Sequence, residues 1–431
     1  MATLSVAGGR VLRPDLSVER ADLLIDQSAG EILEIGPDLA GTAAETLDAT
    51  DSLVVPGLVN AHTHAAMTLL RGWADDKPLD RWLREDIWPA EAALTPEDVR
   101  AGTELGLLEM IRSGTTAFAD MYFEVPEVVA AIEAAGLRAR VGHGVVTVGK
   151  EDEAAQADLE EAVAVAREFD GAADGRIRTA VTPHSLTTVD EPSLREAARE
   201  ARDAGVPIHL HANETREEVE PIVEARGVRP LAYADDLGLL GGDDFLAHGV
   251  HLDDDEIDLL ARRGTAVVHC PASNMKLASG MAPVQRLLDA GATVALGTDG
   301  AASNNDLDMF DELRDAAMLG KLAADAADAV PASAALRMAT ANGADAVGLP
   351  GGELRPGAAA DLAVVDLDAP HLTPEHDPVS LLAYAARGSD VCHTVCDGRV
   401  LMRDREVETL DEERVIATAS ERAQSLRERV E

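Results

Sequence analysis

Two histidines spaced one residue apart, His62 and His64, end the apolar segment at residues 53–64, which reads Leu-Val-Val-Pro-Gly-Leu-Val-Asn-Ala-His-Thr-His. In a β-strand, residues i and i+2 point to the same face, so the two imidazoles are expected to lie side by side. Imidazole nitrogens are common ligands of divalent metals. The pair therefore predicts half of a metal site at the end of a buried strand, whereas the alternative is a pair of hydrogen-bonded core histidines.

Five further chemistry-bearing side chains lie at or just beyond the ends of later apolar segments: His184, His211, Glu214, His248 and Asp299. A divalent metal that activates water takes neutral imidazoles plus a carboxylate. The histidine pair, His211 and Asp299 together offer three nitrogens and one oxygen. They are therefore the predicted metal ligands, while the alternative for Asp299 is a turn residue.

Glu214 and His248 are the predicted proton-handling groups. Glu214 follows His211 by three residues, where a strand gives way to a loop, and there it is a candidate proton shuttle. His248 is a candidate for orienting the attacking water. The alternatives are a helix cap or a solvated charge for Glu214 and a structural role for His248. His209 shares strand parity with His211 and is a competing ligand candidate.

The elements that must position these residues are apolar runs that alternate with helical patterns. Eight β/α units in succession are typical of a (β/α)₈ barrel of the TIM type, in which functional side chains lie at the carboxyl ends of the strands. The eight predicted strands cover residues 54–63, 115–121, 138–146, 177–183, 207–212, 244–250, 265–270 and 293–298.

Both ends of the chain have a different character from the middle. Short alternating segments with Gly, Pro and Asp between them occupy the first 52 residues and return after about residue 350, where Asp397-Gly398 is a turn candidate. We therefore predict an α/β protein in which the barrel at 56–349 is inserted between two parts of a small β-sandwich domain. These parts are 1–55 and 350–431, and the second also contains a charged terminal helix at 411–431.

Charge and composition exclude several classes of function. The net charge of −42 repels phosphate backbones and anionic membranes, so neither nucleic acid nor a membrane is an expected partner. The chain shows no charged-then-apolar leader and no long apolar run, and its 3 cysteines are too few for a disulfide framework, which predicts a cytoplasmic location. Lysine supplies only four of the 37 basic residues, which together with the acidic excess predicts a surface adapted to high salt.

Several motifs resemble the amidohydrolase superfamily and, within it, the 5-methylthioadenosine/S-adenosylhomocysteine deaminases. The resemblance covers nearly the whole chain and favours a haloarchaeal source, given the acidic surface. The motifs that carry it are His62-x-His64, Gly72-Trp73-Ala74-Asp75-Asp76, the Trp82–Glu91 region, His211-Ala212-Asn213-Glu214-Thr215, His269-Cys270-Pro271-Ala272-Ser273-Asn274-Met275-Lys276 and Gly297-Thr298-Asp299-Gly300 through Asn305.

The resemblance implies one Zn²⁺ per subunit on His62, His64, His211 and Asp299, with Fe²⁺, Mn²⁺ or Co²⁺ as substitutes. Members of the superfamily with two metals bridge them through a strand 4 lysine, and residues 177–185 contain none. The resemblance also implies that Glu91, His184, Glu214 and Asp299 bind a small nucleoside, with Glu91 on the ribose hydroxyls. Family members often form dimers or tetramers, so a homo-oligomer is expected.

The implied reaction is hydrolytic deamination at C6 of an adenine ring, with Glu214, His248 and Asp299 as the catalytic groups. Glu214 would protonate N1 of the ring, and the other two would handle the proton of the attacking water. The alternatives are guanine or cytosine deamination, triazine dechlorination and, with intact ligands arguing against it, a non-catalytic scaffold. Some members carry a substrate-binding arginine near the end of strand 3, where this chain has His143.

Overall fold

The computed structural model describes residues 2–430, so Met1 and Glu431, the outermost residues of the two predicted end segments, lie outside it. The first part of the chain is built from short strands that contribute to two sheets. One sheet has the order β5-β4-β1-β6, with β1 antiparallel to β4 and parallel to β6. These strands are β1 (Thr3–Ala7), β2 (Arg10–Leu12), β3 (Val18–Arg20), β4 (Asp22–Asp26), β5 (Glu31–Gly36), β6 (Glu45–Asp48) and β7 (Ser52–Pro56).

The middle of the chain forms the barrel that the sequence predicts. Neighbouring strands pair in parallel, and the eighth position returns to the first because the Asp299 N–H donates to the His62 carbonyl at 3.0 Å. The fourth position consists of two short pieces, β11 and β12, rather than one strand. The barrel strands are β8 (Leu58–Thr63), β9 (Thr115–Tyr122), β10 (Arg138–Val145), β11 (Ile177–Thr179), β12 (Thr182–Pro183), β13 (His209–Ala212), β14 (Phe245–His248), β15 (Ala266–His269) and β16 (Val294–Leu296).

The run predicted as one strand at 54–63 is divided at Gly57 into β7 and β8. A Cβ at Gly57 would lie 2.1 Å from the Thr116 hydroxyl oxygen, so only glycine fits where the chain crosses from one sheet to the other. β7 pairs with the last part of the chain and β8 pairs with β9. The run reads as one mainly apolar stretch because the strands on both sides of the division are buried.

Both chain ends share the second sheet, whose order is β20-β19-β18-β17-β7-β2-β3. Its remaining strands are β17 (Leu362–Asp366), β18 (Val391–Cys396), β19 (Arg399–Arg403) and β20 (Glu406–Val407). Asp397 and Gly398 have φ angles of 53° and 71°, as the predicted tight turn requires. Apolar residues of the two sheets form one cluster, which supports the predicted sandwich; the domain boundaries remain a prediction.

Helices cover the barrel and connect its strands. Buried alanines and leucine recur along α6 at intervals of three and four residues, so its apolar stripe faces the barrel. The helices are α1 (Leu79–Trp82), α2 (Trp88–Glu91), α3 (Pro96–Arg112), α4 (Val125–Ala135), α5 (Asp152–Glu168), α6 (Glu191–Ala204), α7 (Arg216–Arg226), α8 (Pro230–Asp236), α9 (Asp254–Arg263), α10 (Pro271–Lys276), α11 (Val284–Asp289), α12 (Met309–Ala324), α13 (Ala332–Met338), α14 (Ala341–Val347), α15 (Pro378–Tyr384) and α16 (Glu412–Val430). Among residues 2–430, no helix has both the length and the apolar character needed to cross a bilayer.

A buried ion pair joins the barrel to the second sheet. Arg138 on β10 donates to Asp361 at 2.8 Å, and their side chains are only 7% and 1% exposed. We expect Arg138→Met to lower the free energy of unfolding by about 3–5 kcal/mol, because it leaves the Asp361 carboxylate buried without its cation. Denaturant unfolding measures the change. Arg178→Met is the matched control, since its exposed pair with Asp170 is worth about 0–1 kcal/mol, and equal losses in the two variants would contradict this account.

Candidate metal centre and active site

Four ligand-type side chains meet at the carboxyl end of the barrel. His62 and His64 come from the end of β8, His211 from β13, and Asp299 follows β16. One ligand atom from each lies within 4.8 Å of the others. Asp299 Oδ1 lies 3.4 Å from His62 Nε2 and 3.2 Å from His64 Nε2. The structure thus brings together the four residues that the sequence singles out as ligands.

Hydrogen bonds from Nδ1 to backbone carbonyl oxygens orient two of the three imidazoles. His64 Nδ1 lies 2.6 Å from the Met121 carbonyl oxygen, and His211 Nδ1 lies 2.8 Å from the His184 carbonyl oxygen. A carbonyl oxygen only accepts, so each Nδ1 carries the hydrogen and each Nε2 keeps its lone pair. The two lone pairs face each other, with the Nε2 atoms 3.3 Å apart. Histidine ligands of metals are held in this way.

His62 carries the observation that best tests the fit of a metal. Its side chain is fully buried, and within residues 2–430 its Nε2 has no hydrogen-bond partner. Its Nδ1 lies 2.9 Å from His209 Nε2, and the His209 ring stacks on Phe245 with centroids 4.1 Å apart. His209, the competing ligand candidate, is therefore the outer partner of His62 and not part of the cluster. An unpartnered imidazole nitrogen that faces a carboxylate oxygen fits a divalent cation.

Asp299 is held so that only one of its oxygens faces the histidines. Its Oδ2 accepts hydrogen bonds from the hydroxyls of Ser273 at 2.7 Å and Ser303 at 2.8 Å. The strand that leads to Asp299 packs closely against β8. A Cβ at Gly297 would lie 2.7 Å from the backbone nitrogen of His62, so glycine permits this approach. Asp299 itself has a left-handed backbone conformation, with a φ of 62°.

Glu214 and His248 lie beside the cluster and face each other. The His248 ring stacks near His211 with centroids 5.4 Å apart, and its Nε2 lies 3.6 Å from Glu214 Oε2. His248 Nδ1 is 3.1 Å from Asn274 Oδ1, and the Ser279 hydroxyl donates to Glu214 Oε1 at 3.1 Å. Both proton-handling candidates thus have one polar atom engaged and the other free for chemistry.

Burial controls the charge of Glu214. Burial raises the pKa of Glu214 to about 8, and the nearby Asp299 carboxylate adds to the rise. The Glu214 N–H donates to Glu218 Oε2 at 2.9 Å, and burial followed by repulsion from Glu214 raises the pKa of Glu218 to about 7. A carboxyl group that keeps its proton near neutral pH is suited to general acid catalysis.

The two candidate ribose contacts border the same cluster. The ring centroids of His184 and His211 are 4.6 Å apart. Burial raises the pKa of Glu91 on α2 to about 7, and the nearby Tyr122 hydroxyl opposes this rise. Because Glu91 and His184 approach the ligand histidines from different loops, they can contact one small molecule together.

His143 is engaged with an acidic side chain. Its Nε2 lies 3.7 Å from Asp158 Oδ1, and Asp158 also accepts from Lys150 at 2.7 Å. The ring packs edge-on against Phe123, with centroids 5.8 Å apart. The end of strand 3 and the loop after it therefore carry a histidine and a lysine that share one carboxylate.

Four polar residues that contact the site were not among the predicted site residues: Ser273, Asn274, Ser279 and Ser303. The first three lie in the segment after β15 and Ser303 lies after β16, and the carboxyl end of a barrel strand is where functional side chains are expected. Their position after a barrel strand was therefore the signal that could have identified them as site residues. His251, by contrast, supports backbone, because its Nε2 lies 2.7 Å from the Ser279 carbonyl oxygen.

Curated relatives of high identity cover the whole chain. A protein of Haloarcula marismortui named 5-methylthioadenosine/S-adenosylhomocysteine deaminase is 67% identical, over 100% of this chain and 99% of its own. A protein of the same name from Halobacterium salinarum is 69% identical over 98% of both chains. A protein of Methanosarcina mazei named 5'-deoxyadenosine deaminase is 46% identical over 100% of both.

Solved structures agree in fold with the barrel and its sheets. An adenosine deaminase from Xanthomonas campestris with bound zinc superposes with a TM-score of 0.92 at 38% identity, covering 98% of both chains. A triazine hydrolase from Arthrobacter aurescens gives a TM-score of 0.91 at 25% identity, over 98% of this chain and 100% of that one. The sequence profile of the amidohydrolase family matches residues 53–401. The chain therefore belongs to the amidohydrolase family.

Proposed function

We propose that this protein is a zinc-dependent hydrolytic deaminase that converts 5-methylthioadenosine and S-adenosylhomocysteine to their inosine analogues and ammonia. Relatives at 64–69% identity that bear the name of this activity support the substrate class. Bound zinc in the Xanthomonas campestris structure supports the metal. The amidohydrolase family is metal-dependent. That the metal is zinc, and not another divalent ion, is part of what we propose.

The observation that carries the proposal is the buried carboxyl group of Glu214 beside the histidine–aspartate cluster. Addition of water to C6 of an adenine requires a proton at N1, and a carboxyl group with a pKa of about 8 holds that proton at neutral pH. His248 faces Glu214 with its Nε2 free to accept a hydrogen bond. A donor and an acceptor thus lie on one side of the cluster.

His62, His64, His211 and Asp299 would hold the metal, which when bound supplies Lewis acidity and lowers the pKa of water toward 7. In the proposed reaction, His248 accepts or orients the proton of the attacking water. Asp299 Oδ1 takes part in the same proton movement, because its other oxygen is occupied by two serines. Glu214 donates its proton to N1, and the proton taken from water passes to the amino group, which leaves C6 as ammonia. The remaining proton of the added water restores the Glu214 acid as the C6 carbonyl forms.

Glu91 and His184 would bind the ribose. A carboxylate accepts hydrogen bonds from two vicinal hydroxyls, and an imidazole can donate or accept one. The exposed Trp88, 39% accessible and three residues before Glu91 on α2, offers an apolar surface on the same helix. Free bases and triazines lack the sugar, so these two contacts favour a nucleoside over guanine, cytosine or a chlorotriazine.

A substrate panel tests the proposal. Protein loaded with zinc in high salt is expected to release ammonia from 5-methylthioadenosine and S-adenosylhomocysteine, with the ultraviolet change of adenine to hypoxanthine. Guanine, cytosine and atrazine serve as the comparison set. Ammonia from neither thioether nucleoside, under conditions where the protein holds its metal, would contradict the substrate assignment.

The second candidate substrate is 5'-deoxyadenosine. Its basis is the 46% identity to the Methanosarcina mazei protein of that name, over the full length of both chains. The same panel with 5'-deoxyadenosine and adenosine added separates the two by kcat/KM. A preference for the nucleoside with no sulfur would favour the second candidate.

The pH dependence of kcat/KM is expected to report Glu214. Its folded-state pKa of about 8 lies above the ordinary value of 4.5, so the acid form is present below pH 8 and is lost above it. Activity should therefore fall as the pH rises through about 8, and this limb should be absent in Glu214→Gln. The measurement is a kcat/KM profile from pH 6 to 10, and an unchanged basic limb in the variant would assign it to another group.

Assembly and location complete the proposal. We infer a homo-oligomer and a cytoplasmic enzyme with no nucleic acid partner, and the net charge of −42 supports the exclusion of nucleic acid. Light scattering in high salt gives the number of subunits, and one subunit per particle would contradict the first inference.

A further inference from the structure

Residues 271–280, which comprise α10 and the turn after it, contact all of the groups that move protons in the proposed reaction. We call them the strand 7 segment, because they follow β15 at the seventh position of the barrel. The side chains involved are buried, with exposures of 0% for Ser273 and Asn274 and 7% for Ser279. The three hydrogen bonds are Ser273 Oγ to Asp299 Oδ2 at 2.7 Å, His248 Nδ1 to Asn274 Oδ1 at 3.1 Å, and Ser279 Oγ to Glu214 Oε1 at 3.1 Å.

Asn274 determines which nitrogen of His248 carries the hydrogen. An amide oxygen only accepts, so His248 Nδ1 donates to Asn274 Oδ1 and the lone pair lies on Nε2. That Nε2 is the atom 3.6 Å from Glu214 Oε2. The side-chain nitrogen of Asn274, Nδ2, has no partner in the described part of the chain. The contact of Asn274 with His248 is made by its side-chain oxygen, Oδ1.

Ser279 holds one oxygen of Glu214 and leaves the other free. Its hydroxyl donates to Oε1, so Oε2 is the oxygen that faces His248. The backbone of Ser279 is itself fixed, because its N–H donates to the Asn274 carbonyl at 2.9 Å and its own carbonyl accepts from His251 at 2.7 Å. The segment therefore links the orientation of both proton-handling groups.

Ser273 completes the set on the side of the metal ligands. Its hydroxyl shares Asp299 Oδ2 with the Ser303 hydroxyl, and together they leave Oδ1 toward the histidines. The turn that follows α10 is closely packed: Ala278 has a φ of 56°, and a Cβ at Gly280 would lie 2.9 Å from Val250. A displacement of this turn would move the contacts to Glu214 and His248 together.

We propose that the strand 7 segment is the positioning unit of the reaction: Asn274 selects the His248 tautomer, Ser279 orients the Glu214 carboxyl group, and Ser273 orients the Asp299 carboxylate. This inference rests on the proposed function, because it assigns positioning roles for that same reaction. It predicts separable defects, since each residue acts through a different catalytic group.

The first test compares truncating and conservative variants of Asn274 and Ser279. Asn274→Leu and Ser279→Ala are expected to lower kcat by about 10–100-fold at unchanged metal content, as loss of supporting contacts does at metal sites. KM should stay within about threefold, because no substrate contact is removed. Asn274→Asp and Ser279→Thr keep the acceptor and the hydroxyl, so they should recover most of the lost kcat.

The second test uses Ser273 and needs no substrate. Ser273→Ala is expected to weaken zinc binding by about 10-fold or more in a titration against a chromophoric chelator. Ser113→Ala is the matched control, because Ser113 is also buried but its hydroxyl donates only to backbone carbonyls of α3. It should change neither zinc affinity nor kcat.

A spectroscopic measurement separates failure of this inference from failure of the proposed function. In protein labelled with ¹⁵N-histidine, the ring shifts of His248 report its tautomer without any nucleoside. We expect Nδ1–H in the wild type and its loss in Asn274→Leu. An Nε2–H tautomer in the wild type would overturn the inference even if 5-methylthioadenosine is deaminated. Parallel losses of kcat, zinc and thermal stability in all three truncations would overturn it too, since they indicate a merely structural segment.

Discussion

Glu214→Gln is expected to lower kcat by about 10²–10⁴-fold, the usual contribution of a positioned general acid. An amide of the same shape can still accept a hydrogen bond from Ser279, but it has no acidic proton to transfer to the ring nitrogen of the substrate. Glu214 lies outside the set of four ligand atoms, so bound zinc should be unchanged. Steady-state ammonia release and metal analysis of the same preparation measure the two quantities.

The control for this variant is Glu217→Gln, which removes the same charge from an exposed position three residues along the chain. It is expected to keep the wild-type kcat and zinc content. Full activity in Glu214→Gln would remove this carboxyl group from the reaction. Loss of zinc together with activity would instead indicate that Glu214 supports the ligands.

Asp299→Asn should abolish metal binding and activity together. The substitution takes away the only anionic member of the cluster and its contacts to His62 and His64. Because loss of outer-shell partners alone costs about 10–100-fold, loss of a ligand that also handles protons is expected to lower kcat/KM by more than about 100-fold. Metal analysis and a substrate assay with added zinc test both parts.

Chelation of the wild-type protein provides the corresponding reversible experiment. Activity should disappear on removal of the metal and return with about one zinc per chain. The matched charge control for Asp299→Asn is Asp255→Asn, at an exposed position on α9. This control should keep the zinc content and the activity of the wild type. An Asp299→Asn protein that keeps one zinc and most of its activity would contradict the proposed ligand set.

The barrel was predictable because its strands are nearly continuous apolar runs and its functional side chains follow them. Hydrophobic periodicity and the rule that barrel sites lie at strand ends are both visible in a single sequence. Each of the eight predicted runs contains barrel strand residues, and the tight turn at Asp397-Gly398 is confirmed. The division of the 54–63 run was not predictable, because burial in two different sheets makes one unbroken apolar pattern.

Within the site, residue type was more informative than residue environment. Histidines at strand ends are uncommon enough to indicate a site. The serines and the asparagine of the strand 7 segment are common residue types, and no spacing rule identifies them. His209 shares strand parity with His211, and His211 was preferred as the ligand because His209 lies two residues deeper in the strand. In three dimensions His211 lies in the cluster of four, and His209 lies outside it against His62.

The shared second sheet has a consequence for the order in which the chain folds during synthesis. β7 leads through Gly57 directly into the strand that carries His62, yet its antiparallel partner β17 comes after the whole barrel in the chain. While the ribosome is still making the barrel, that side of β7 remains an unpaired apolar edge, which is a surface prone to association. The strand that carries His62 is thus joined at its amino end to a strand whose pairing is completed only when the last part of the chain emerges.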